Sequence, residues 1–264
     1  VSEFWQSVVQ TAIGSSLGFG LGLIAFHYQQ KSMRDESEEG SRLEAIGGMN
    51  RLVISAGSNV EAIANSKLQA LSALAPEAEQ IQRLSEASFD AKAENEHARL
   101  SELSKALGEC RCFYLSLPQV HIMAPPHSSE YNLLLKEMPS LSLFAHRALG
   151  CMEQMNDQIG IRNDLIAEQA RENKAGTGLS GERMRYFASM MSGASRGICE
   201  NADFALNFWR LALDQCASYA KHAARPGECL GFELVPEAEK AMPTEEMFPL
   251  MRKQIVNFGE AEKG

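Results

Sequence analysis

No aspartate, glutamate, lysine or arginine occurs between Phe4 and Gln30, a run of 27 residues. A surface helix of a globular protein carries charge on its outer face, so this stretch is expected to cross a membrane as a helix. There is also no basic region before Trp5 and no small-x-small site after Phe26. Those are the marks of a cleaved signal peptide, so the stretch is expected to stay. The chain has no excess of positive charge either: its net charge is −9 and its pI about 5.3. That excludes the basic patch on which nucleic-acid binding rests. The six cysteines follow no disulfide-scaffold spacing, which suits a reducing cytoplasm. R-x4-H, H-E-x-x-H and Walker P-loop patterns are absent, and no cofactor, metal or catalytic residue is expected.

What is present starts with the charge-free run. Val8 to Phe26 would span about 28 Å as a helix, close to the thickness of a bilayer core. Trp5 at one end and Tyr28 at the other suit the two interfaces, where amphipathic rings are favoured. Lys31, Arg34, Arg42 and Arg51 follow the run and no base precedes it. The positive-inside rule then puts the N-terminus outside and the bulk in the cytoplasm, a single-pass arrangement in the inner membrane. Gly14, Gly18 and Gly22 recur at every fourth position, and Gln10, Thr11, Ser15 and Ala25 share their helix face. Small residues let membrane helices approach closely, and polar groups bond across the contact. Self-association through this face is expected, and in a larger ring the same polar groups would line a narrow pore.

Beyond the anchor the apolar residues recur in steps of three and four, without the period of two that marks a strand. Ile46, Met49, Val53, Ala56, Val60 and Ile63 form one seam, which Lys67 interrupts and Pro76 is expected to end. A second runs through Leu100, Leu103, Leu107, Cys110, Tyr114 and Leu117 to Pro118. Two more run from Leu141 to Ile166 and from Phe187 to Tyr219, the first opening at Pro139 and the second at Ser180. The expected fold is all-α: residues 1–34 an anchor and flank, 35–225 an antiparallel bundle of about four long helices, and 226–264 a loosely attached tail with a short helix near Met247 to Phe258.

Three motif matches lack their context. Gly176 to Gly181 fits G-x-G-x-x-G, but a helix rather than a strand feeds it. Gly193 to Gly197 fits G-x-S-x-G around Ser195 inside a helical run, where no strand-to-helix elbow forms. Cys110 and Cys112 with His121 and His127 would make four zinc ligands, but C-x-C is not the usual knuckle spacing. Arg162 and Asn201 fall where the seams predict apolar residues. With Asn163 they form the candidate polar site of the bundle, either fixing helix register through an internal partner or marking a ligand.

The layout of an anchor from Trp5 to Tyr28, a heptad helix from Ile46 and a helical bundle resembles small single-pass bacterial membrane proteins. Some of these accompany antiphage defence systems as membrane effectors. The resemblance implies action by assembly or by binding a protein partner at the bundle or tail, with a pore-type effector as its sharper form. A monomeric tether or sensor docking onto another membrane protein is the alternative, and a membrane-attached enzyme the third.

Overall fold

The computed structural model describes residues 2–89, 93–125, 129–174 and 180–243. Within the first helix, side chains are described from Phe26 onward. The described chain is all-α, with no strand among the described residues.

Helix α1 runs unbroken from Ser2 to Ser66. Residues 26–38 are exposed on every side, a lone stalk of about 20 Å at 1.5 Å per residue. The helix enters the core only at Ala45, and from there the seam expected from the sequence is buried, Ile46, Met49, Val53, Ala56, Val60 and Ile63, with Leu52 beside it. Among the described residues no helix is long and apolar enough to cross a membrane, so the expected transmembrane helix finds no support in the structure. Apart from Phe26, the side chains of the expected span, Val8 to Phe26, lie outside the described residues.

Pro76 does not end the helical path. A π turn at Lys67–Leu71, in which Ser72 N–H donates to the Lys67 carbonyl, leads into α2, Ser72–Phe89, with Pro76 inside it. Proline removes one backbone donor and crowds the carbonyl four residues back. The wide turn just ahead of the ring loosens that part of the ladder, and the helix continues. Lys67, the break in the seam, points out of the core, where its ammonium pairs with Asp203 and donates to the Ala241 carbonyl at 2.7 Å.

Helix α3, Ala93–Glu109, carries the second seam only as far as Cys110. The chain then makes a 3-10 turn at Cys112–Tyr114 and becomes extended from Leu115. The expected helix to Leu117 is therefore corrected: two turns' worth of apolar residues belong to a strap instead. Phe113 is buried and meets Phe187 edge-on, with ring centroids 6.4 Å apart, while Tyr114 stacks on Phe187 at 6.0 Å.

Helix α4, Ser129–Glu137, packs against α1. Helices α5, Pro139–Lys174, and α6, Gly181–Ala223, pair most extensively of all and form the centre of the bundle. Pro139 starts α5 because its missing N–H costs nothing in a first helical turn. Ser180 caps α6, its hydroxyl accepting from Arg183 N–H at 3.3 Å. Trp209, fully buried on α6, donates its indole N–H to Met152 Sδ of α5 at 3.4 Å.

The described part of the tail is not loose. From Ala224 an extended segment runs along α1 and ends in α7, Pro236–Ala241, where Ala238 and Ala241 bury against Ala64. The short helix expected near Met247 to Phe258 lies outside the described residues.

Candidate functional site

Asparagine side chains, one buried and two half-buried, hold the extended strap of residues 115–125. Asn163 of α5 accepts from Leu117 N–H at 3.0 Å and donates to the Leu117 carbonyl at 2.8 Å. Asn156 does the same at Val120, at 2.8 Å each way. Asn59 of α1 repeats it at Met123, at 2.8 and 2.9 Å. Each amide thus supplies the donor and acceptor that a neighbouring strand would give.

The spacing explains why this works. Asn156 and Asn163 are seven residues apart, two turns of α5, or about 10.5 Å along one face. Three residues of extended chain near the polyproline conformation cover about 9–10 Å. The strap runs antiparallel to α5, and every third residue meets an amide.

Arg162 holds the start of the strap. It is fully buried, and its guanidinium donates to the carbonyls of Cys112 at 2.8 Å, Phe113 at 2.9 Å and Leu115. Its Nε donates to Ser195 Oγ at 3.3 Å. Across the turn, Glu77 accepts from Phe113 N–H at 2.9 Å. None of the hydrogen-bond acceptors around Arg162 is a carboxylate, and burial pushes its pKa below the ordinary arginine value. The turn at Cys112–Tyr114 exposes carbonyls that no helix satisfies, and a planar fork with five donors collects them. What this constellation does chemically is bind main chain.

Of the three bundle residues expected to share a site, Arg162 and Asn163 do converge on the strap. Asn201 does not: its amide donates to the Gly197 carbonyl of its own helix at 2.9 Å. Ser195 lies inside α6 rather than on a strand-to-helix turn, fully buried with its oxygen engaged by Arg162. The elbow geometry of G-x-S-x-G is therefore missing. Cys110 is buried on the seam and His121 is exposed on the strap, and no cluster of three metal-ligating side chains occurs among the described residues. Of the G-x-G-x-x-G match, residues 176–179 lie outside the described residues. Trp5, Gln10, Thr11, Gly14, Ser15, Gly18, Gly22 and Ala25 sit on α1 where side chains are not described. Tyr28, Lys31 and Arg34 are exposed on the stalk, and Arg34 pairs with Glu38 at 2.8 Å.

A second strap, residues 224–235, is held by a different set of groups. Asn50 of α1 donates to the Glu228 carbonyl and accepts from Leu230 N–H, at 2.8 Å each. At the foot of the stalk Arg42 grips the Glu228 carboxylate with both terminal nitrogens, at 2.6 and 2.9 Å, and also pairs with Glu39. Arg42 holds the Glu228 carboxyl down at about 2. Beneath this strap, between α1 and α6, lies a cleft of about 780 Å³ walled by Met49, Val53, Val60, Ala217, Ala220 and Phe232. Such a volume is within the range of ligand pockets. Cys216 and Cys229 also line it, and burial pushes the Cys216 thiol up to about 12.

Asn50, Asn59 and Asn156 were not singled out by the sequence. The available signal was an amide beside a seam residue, as in Asn59–Val60 and Met155–Asn156, with Asn156 and Asn163 two turns apart. No family model, curated protein or solved structure is similar to the chain.

Proposed function

We infer that this chain is a non-enzymatic helical protein that acts by assembly and partner binding, with α1 as the assembling element. The observation that carries this reading is the stalk. Residues 26–38 form a single helix that no other described element covers, with Phe26, Tyr28 and Met33 more than half exposed. An isolated helix of that kind gains no stability from tertiary packing and needs a cover. The Gly14, Gly18 and Gly22 face ahead of it provides the small-residue surface through which like helices pack.

A bilayer as the place of assembly rests on the sequence, through the charge-free run and the bases that follow it. Against it stands the lack of any described helix long and apolar enough to cross a membrane. In its sharpest form the assembly is a pore-type effector in the inner membrane, with the bundle on the cytoplasmic side receiving the signal.

The test is the native mass of the full-length protein in a mild detergent, beside Gly18→Leu. A defined oligomer that Gly18→Leu dissolves supports assembly through α1. A wild-type monomer overturns it and leaves the tether reading. Flotation with liposomes tests the bilayer separately: protein that stays at the bottom of the gradient removes the membrane from the proposal.

A further inference from the structure

The cleft under the second strap has one wall from α1, one from α6 and a rim from the strap itself. Its α1 wall, from Met49 to Val60, is about 17 Å long. Phe232 closes one side by lying so near Gly57 that a methyl there would stand 2.5 Å from the ring. Arg210 and Asp214 both line the cleft and cancel in charge, which leaves the exposed carboxylates of Glu233 and Glu239 unbalanced on the rim. The cleft therefore suits an apolar segment about as long as three helical turns that carries positive charge.

The chain leaves the described structure at Pro243, which itself lines one end of the cleft. The next residues contain that chemistry. Phe248, Met251, Ile255 and Phe258 follow a three-four-three spacing, and Arg252 and Lys253 lie among them. Twelve residues from Met247 to Phe258 measure about 18 Å as a helix. Three residues separate Pro243 from Met247, four steps along the chain that reach up to about 14 Å.

We propose that the segment Met247–Phe258 of this chain docks in the cleft between α1, α6 and the C-terminal strap, its apolar face on Met49, Val53 and Val60 and its bases toward Glu233 and Glu239. The segment is an intramolecular ligand, joined to its site by three residues. This inference does not depend on how α1 assembles.

The cleft carries its own reporter, because Cys229 lines it. Phe248, Met251 and Ile255 are each changed to cysteine in the full-length chain, with Glu260→Cys as the control, and oxidised with copper phenanthroline. A disulfide forms only where the two Cα atoms come within about 7 Å. At least one of the three positions is expected to give an intramolecular peptide linked to Cys229, at least tenfold above the control by mass spectrometry. Glu233→Lys with Glu239→Lys should cut that yield several-fold. No linkage above the control at any position overturns the docking. Linkage found only between two chains overturns the intramolecular occupant and assigns the cleft to a second copy.

Discussion

The two straps are both held by asparagine, yet the rest of their attachment differs. Residues 115–125 are fixed from inside the bundle, by the fully buried Arg162 and Asn59 and by Asn156 and Asn163. Residues 224–235 are fixed from outside, by one asparagine and an ion cluster of Glu39, Arg42, Arg225 and Glu228. A buried polar contact is costly to break because the abandoned partner cannot turn to water. The Arg42–Glu228 pair is only half-buried, its side chains 19% and 23% exposed, and its loss is softened by the water and salt that reach it. The first strap is therefore part of the core, and the second is a cover that leaves at low cost. That asymmetry puts the adaptable surface of the molecule at the cleft and the stalk, on the side where Arg42 joins them.

The largest expected effect follows from Arg162→Met. The substitution keeps the apolar stem, takes the guanidinium donors from the Phe113 and Leu115 carbonyls and leaves Cys112 with only its bond from Leu115 N–H, so a loss of about 3–5 kcal/mol is expected. Urea unfolding measures it. A loss below about 1 kcal/mol would mean that water enters the turn and the first strap resembles the second. Next comes Asn59→Ala, which strands both the N–H and the carbonyl of Met123 and should cost about 2–3 kcal/mol. Asn50→Ala removes the same two bonds from the exposed strap. It should cost less than half as much, and equal losses would erase the contrast between the straps.

The sequence made the helices legible where burial is one-sided. The seam from Ile46 to Ile63 and the starts at Pro139 and Ser180 all stand in the structure. Spacing misled where the chain stops being helical without losing its apolar residues. Tyr114 and Leu117 continue the heptad rhythm of α3, yet the chain there is drawn away by donors from α5. Those donors are a tertiary fact that a local pattern does not contain. Arg162 stood out because a cation on a seam violates the pattern, whereas Asn156 and Asn59 sit beside seam residues and violate nothing. Asn201 violated it too, but its partner is the carbonyl one turn back, a local satisfaction that spacing does not distinguish from a long-range one.

Smaller effects sharpen the boundary between stalk and bundle. Gly40 lies in α1 with nothing within 4 Å of where a methyl would go, whereas Gly57 faces the Phe232 ring. Gly40→Ala should stabilise by about 0.5–1 kcal/mol through helix propensity alone. Gly57→Ala should lose that gain by pushing the strap outward, seen as faster alkylation of Cys229. If both glycines respond alike, the second strap does not press on α1.

The smallest effect is expected at the ion cluster, where pH gives the sign. Arg42 lowers the folded pKa of Glu228 to about 2, below the value of about 4.3 for a free glutamate. The stabilisation is then complete above the free value and disappears as pH falls from about 4.3 toward 2. Glu228→Gln should flatten that part of the stability profile while leaving the neutral-pH melting temperature within a degree or two of wild type. Added salt should narrow the remaining difference in part, because the pair is half-buried at the surface and solvent reaches both side chains. If Glu228→Gln instead lowers the neutral melting temperature as far as Asn59→Ala does, the second strap is locked as firmly as the first. The cleft beneath it would then be sealed to an exchanging segment.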